Sequence, residues 1–180
     1  MGTFKDLYNE TRRRLTDGTA QNPIRVEVAS RNAGGFRSQV TIRQFNLTID
    51  QPHGFGGGNA GPKPSEVLLA SLAACQEITY RLYADAMDIP LDGIRIELVG
   101  IQDLRGFLAI DQGTPAGFQR IEGTVHLDSP ADDAALARLQ ETVDRHCPVL
   151  DDLRRPLQVR LTAVRDKGRA AATAVDDKPA

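Results

Sequence analysis

Residues 54–82 read GFGGGNAGPKPSEVLLASLAACQEITYRL, and no other stretch restricts the fold as much. Glycine and proline crowd its first half, and both are poor helix-interior residues, so that half is a loop. From Ser65 onward strong helix formers take over: Glu66, Leu68, Leu69, Ala70, Leu72, Ala73, Ala74. Ser65 is the expected N-cap, with Glu66 in the first turn, where the helix dipole favours an acid. Apolar side chains cover nearly every side of residues 67–74, which predicts a helix buried as the spine of the core. The small residues before Cys75 would let another element pack very close to it.

Around this helix the pattern is β. Residues 24–29 and 40–49 alternate apolar and polar, with turn residues at 32–35 between them, as in an antiparallel meander. Ile94, Ile96 and Leu98 mark a strand, and Ile121, Gly123, Val125 and Leu127 another. Between them, residues 103–118 (DLRGFLAIDQGTPAGF) carry Phe107, Leu108, Ile110 and Phe118 among glycines. An apolar connection of that length is either a flap over a pocket or a packed hairpin extension. Ser129 as N-cap and Pro130 at the first helical position, followed by acids, start a helix with Leu136, Leu139 and Val143 as its stripe. Cys147 then caps a further helical turn with Pro148 at its head, stopped by Pro156. Leu157, Val159, Leu161 and Ala163 alternate and should close the fold as a final strand. The fold class is therefore α+β with antiparallel sheet. Residues 1–20 form an N-terminal helical segment, with Phe4, Leu7 and Leu15 on one side and Arg12 to Arg14 opposite. Residues 21–165 form the main domain. The alanine-rich, charged residues 166–180 are expected to be a disordered tail.

A chain of 180 residues is one domain by default. Its net charge of −2 gives no basic footprint for nucleic acid. The apolar run after Val67 is broken too soon by Gln76 and Glu77 to span a bilayer. The N-terminus is charged and does not read as a signal peptide, so we expect a soluble, cytoplasmic protein. The 3 histidines and 2 cysteines show no Cys-x-x-Cys or His-x-x-x-His spacing, and no metal site is expected.

The two cysteines are the candidates for chemistry, with the alternative that a lone cysteine buried on an apolar helix is a small hydrophobe. A cysteine attacks as thiolate, and its surroundings set the thiolate fraction. Cys147 at a helix N-terminus would face unpaired N–H groups and the positive dipole end, which favour the thiolate, and a cationic His146 would add to this. Cys75 lies mid-helix, without a dipole end, and would need an arginine from another segment or subunit.

The loop GGNAGPKPSE with the helix VLLASLAAC, together with His146-Cys147-Pro148-Val149, resembles the OsmC/Ohr superfamily. IRQFNLTIDQP and RGFLAIDQGTPAGFQ resemble a bacterial OsmC-like branch, and the similarity spans roughly residues 24–164. The resemblance implies an OsmC-like fold, with antiparallel sheets wrapped around a long buried central helix in an intertwined homodimer with interfacial active sites. It implies a thiol-dependent peroxidase for organic hydroperoxides, with Cys75 becoming a sulfenic acid and Cys147 resolving it as a disulfide. No cofactor is implied, only an external dithiol or lipoyl-type reductant. The resemblance also implies an acid directly after the proline, paired with an arginine at the thiolate. Here Ser65 occupies that position and Glu66 follows it. At roughly 100° per residue, nine steps place Glu66 opposite Cys75 on a regular helix. The arginine candidates are Arg31, which matches best by position, then Arg37 and Arg43. A non-catalytic protein of this fold binding a small apolar ligand, or a redox sensor, are the alternative functions.

Overall fold

The alternation at 40–49 folds into a hairpin. The computed structural model of the chain describes residues 4–165. In it β1 (Ala29–Asn32), β2 (Ser38–Ile42) and β3 (Phe45–Ile49) form an antiparallel sheet in that order. Ile42 faces Phe45 across a two-residue turn in which Arg43 takes φ 55°, the positive φ that tight hairpins require. That turn also corrects the expected strand at 24–29. Ala29 pairs with Thr41, and β2 ends one residue later, so residues 24–28 have nothing left to pair with. They carry no regular structure, and Ile24, Val26 and Val28 are exposed.

The glycine-rich loop follows β3, and the long helix α2 (Pro64–Ala86) follows the loop. Ser65 is not its N-cap. Pro64 fixes the first helical φ, which moves the cap back to Lys63. Lysine has no acceptor to offer, so Glu66 reaches back and accepts the Lys63 N–H at 2.9 Å. The expected all-round burial of α2 holds on one side only. Leu72, Gln76, Thr79, Tyr80 and Ala84 are buried, while Leu68 is exposed and Ile78 is 70% exposed. The helix packs against other described elements of this chain through the first face alone.

The second sheet is a long hairpin, β4 (Gly93–Gln102) with β5 (Phe118–Asp128), bulged near Ile101. Its connection holds the short α3 (Leu104–Phe107), capped by Asp103, which accepts the Arg105 N–H at 3.0 Å. Phe107 meets Phe55 of the glycine-rich loop at 6.1 Å between ring centres. The connection walls one side of a cleft of about 450 Å³ with Phe55 and Pro64, while Leu108 and Ile110 are exposed, so it borders a pocket more than it packs as an extension of the core.

Helix α4 (Asp133–His146) starts later than the sequence suggests. Asp132 is its N-cap and accepts the Ala135 N–H at 2.7 Å, whereas Ser129 donates to the Pro90 carbonyl at 2.5 Å. Leu139 and Val143 bury the α4 stripe against Tyr80, Ala84, Ile89 and Leu91, the centre of the core. Truncating Leu139 to alanine there would cost about 2–5 kcal/mol. Helix α5 (Pro148–Arg154) follows, capped by Cys147. The N-terminal helix α1 (Phe4–Thr16) lies on α2 through Tyr8 and Tyr83, 5.9 Å apart edge to face. A Lys5–Asp88 pair at 2.5 Å joins it to the end of α2, an exposed contact worth about 1 kcal/mol or less.

The expected final strand at 157–163 does not form. Residues 156–165 have no regular structure, and Leu161 is 93% exposed. A strand exists only when another edge takes up its N–H and C=O groups, and no described residue of this chain does so. The expected tail at 166–180 lies outside the described residues.

Candidate active site

Cys75 and Cys147 meet. The Cys147 thiol donates to the Cys75 sulfur at 3.2 Å, although the two are 72 residues apart in the chain. Both are free thiols. The contact arises because α4 packs across α2 and stops at His146, and Pro148 starts α5 at that spot. The residue between the two helices is turned onto the fourth turn of α2.

The two sulfurs have different surroundings. Cys147 is fully buried. Burial pushes its thiol above the ordinary 9.0, the Leu150 backbone N–H acts in the opposite direction, and Cys75 raises it further. The helix N-terminus therefore does act on Cys147 as the sequence suggested, but desolvation outweighs it, and the neutral thiol is favoured. Cys75 is half-buried and lines an open cleft of about 480 Å³. Ala74, Ile78, Leu82, Pro148 and Val149 give that cleft an apolar wall. Thr79, Tyr83 and His146 are its polar members besides Ser71 and Cys75 itself.

Three residues of this site were not singled out from the sequence. Thr79 lies one turn after Cys75, on the same face, and its hydroxyl donates to the Cys75 carbonyl at 2.6 Å. Its hydroxyl also acts on Cys147, against the upward effect of burial on that thiol. Tyr83, a turn further, stacks on His146 at 5.4 Å with 27° between the rings. The signal was a series at spacing four, Cys75, Thr79 and Tyr83, which places the three on one face of α2.

The third is Asp50, at the head of the glycine-rich loop. It is only 2% exposed and accepts backbone N–H groups from Gln51 at 2.8 Å, Gly58 at 3.0 Å and Ala60 at 3.1 Å. Those donors, led by Ala60, hold its carboxyl below the ordinary 3.8, with Arg37 assisting. The loop closes tightly on the strand end. A Cβ on Gly57 would stand 2.0 Å from the Gln51 carbonyl oxygen, and one on Gly61 2.1 Å from that of Thr48. These glycines are there because backbone meets backbone. Asp50 and the loop thereby fix where α2 begins, and hence where Cys75 stands.

Glu66 and Arg31 do not line the Cys75 cleft. Glu66 caps α2 as described. Arg31 lies exposed on β1, opposite Gln39. Arg37 donates to the Ala33 carbonyl at 3.2 Å, and Arg43 sits 5.2 Å above the Phe45 ring.

The profile of the OsmC-like protein family matches residues 56–162, and the chain belongs to that family. No curated protein matches it in sequence. Among solved structures, it is similar to an OsmC-like protein from Mycoplasma pneumoniae at 20% identity and TM-score 0.65, covering 73% of this chain and 89% of that one. The organic hydroperoxide resistance protein OsmC from Legionella pneumophila matches at 19% identity and TM-score 0.58, covering 74% and 92%. The organic hydroperoxide resistance protein OhrB of Bacillus subtilis matches at 21% identity and TM-score 0.51, covering 73% and 91%. These likenesses establish a shared OsmC-like fold. None of the described helices is long and apolar enough to cross a membrane.

Proposed function

We propose that the chain is a cysteine-based peroxidase for organic hydroperoxides. The observation that carries this reading is the contact between the Cys75 and Cys147 sulfurs, one lining an open cleft and the other covered. Cys75, as thiolate, attacks the distal peroxide oxygen. The S–O bond forms as the O–O bond breaks, leaving a sulfenic acid and an alcohol. Cys147 then gives up its thiol proton as its sulfur attacks Cys75; the S–S bond forms as the S–O bond breaks, and the hydroxyl leaves with that proton as water. An external dithiol returns both sulfurs to the reduced state. The apolar cleft wall suits the organic part of the peroxide.

The active form is a homodimer. The apolar side chains left open on α2, and the alternating segments at 24–28 and 156–165 without partner edges, are the surfaces a second copy would cover. In that dimer the arginine for the Cys75 thiolate comes from the second copy's first hairpin, with Arg31 as the candidate, and Glu66 stays at the head of α2.

The test is mass spectrometry after one equivalent of cumene hydroperoxide. A Cys75–Cys147 disulfide, absent in Cys75→Ser, is the expected result. Two thiols that persist would sink the reading. They would favour instead a ligand-binding protein using the cleft between Phe55 and Phe107.

A further inference from the structure

The peroxidase reading leaves one proton without a source. When the O–O bond breaks, both its electrons leave on the alkoxide, which must be protonated to depart readily as alcohol. An arginine can steady the thiolate, but it has no proton to give near neutral pH. Cys147 directs its S–H at Cys75 and is buried. The Thr79 hydroxyl is engaged with the Cys75 carbonyl. Burial, and then Tyr8, hold the Tyr83 phenol above its ordinary value.

Resting on that reading, we propose that His146 is the general acid of the Cys75 cleft, donating the proton to the departing alkoxide. It lines the same cleft as Cys75, and it is the next residue to the one whose sulfur touches Cys75. Among the described residues lining that cleft it is the one imidazole, the side chain that exchanges protons near neutrality. The ring is also positioned. It stacks on Tyr83, which is held in turn by the edge of Tyr8 from α1. The sequence that carries the family signature therefore supplies the sulfur, while α1, outside the matched residues 56–162, steadies the acid.

The step balances. The Cys75 thiolate loses two electrons to the peroxide and becomes sulfenic acid. The alkoxide takes the imidazolium proton and leaves as alcohol, and the neutral imidazole regains a proton from solvent. The ionisable neighbours of the ring are few. Cys75 and Tyr83 face it from α2, Cys147 adjoins it at the head of α5, and Tyr8 of α1 lies behind Tyr83. On its own helix, Arg145 pairs with Glu141 and Asp144 with Arg154.

The experiment compares two oxidants on the full chain with dithiothreitol. Cumene hydroperoxide expels an alkoxide that needs a proton. Peracetic acid expels a carboxylate that does not. His146→Gln should slow cumene hydroperoxide consumption about a hundredfold and leave peracetic acid within a few fold. Equal slowing on both oxidants, or no slowing on either, overturns the proposal. If that variant does not fold, Tyr83→Leu, which keeps the imidazole and removes its stack, must show the same selectivity to a smaller degree. Equal loss on both oxidants in Tyr83→Leu overturns it too. A wild-type chain that consumes neither oxidant faster than Cys75→Ser takes down the peroxidase reading itself, and this one with it.

Discussion

The two functional stretches of α2 are held by opposite means. At its head, the glycine-rich loop is tied by an ionised group, Asp50, surrounded by backbone N–H donors. At its middle, the helix is locked to α4 and α5 through a neutral group, the buried Cys147 thiol. The first stretch gains from charge and the second from its absence. The helix is thus fixed at the head by electrostatics that need no water and at the cysteines by desolvation that excludes it. The lesson is that backbone donors can make burial favour an anion, whereas a sulfur beside another sulfur gains no such donors beyond Leu150 and Thr79.

The largest effect should come from breaking the sulfur stretch. Cys75→Ser should reduce peroxide consumption to the level of dithiol alone, while Cys147→Ser should still lose one equivalent of peroxide and stop at a sulfenic acid trapped by dimedone. Equal activity in both variants would remove the division of roles between the sulfurs. Next comes the head of the helix. Gly57→Ala drives a methyl into the Gln51 carbonyl and should cost about 1–3 kcal/mol in denaturant unfolding.

The pH dependences sharpen the contrast, because their signs are opposite. Asp50 is held below 3.8, so its contribution is fully present above that value and fades as pH falls through the lowered native one. Asp50→Asn should be less stable than wild type at neutral pH, with the gap closing in acid. Cys147 is held above 9.0, so its contribution is complete below that value and fades as pH rises through the raised native one. Melting curves of Cys147→Ala and wild type should therefore converge in alkali. Gaps that stay constant in both directions would show that neither group acts through its ionisation. The smallest effect is expected for Thr79→Val, which removes a hydroxyl from the Cys75 carbonyl and should cost about 1 kcal/mol. A larger loss of peroxide turnover than of stability in that variant would mean that Thr79 tunes the sulfurs.

Much of this was legible in the residue order. The long helix, the strand pairs with their alternation, and both cysteine stretches follow from local pattern. What the order could not show was anything decided by partners distant along the chain. Residues 24–28 and 157–163 have the same alternation as β2 and β3, yet only the latter have an edge to pair with. Ser65 and Ser129 are good caps by type, but Pro64 and Asp132 displaced them through the geometry of neighbouring turns. The direction of the Cys147 shift was hidden because a dipole can be read from a Pro-headed helix, whereas burial depends on α2 lying across it. Asp50 carried a visible cue: an acid at the mouth of a glycine-rich loop stands where many N–H groups lack acceptors.

One consequence follows from the unequal cover of the two sulfurs. In the proposed peroxidase cycle, once they are joined only the Cys75 half of the bond borders the cleft, so a reducing dithiol would have a single door to knock on. It must enter by the passage the peroxide used and first couple to Cys75. On that proposal oxidant and reductant would queue at one threshold, and each turnover would be a strict alternation of visitors.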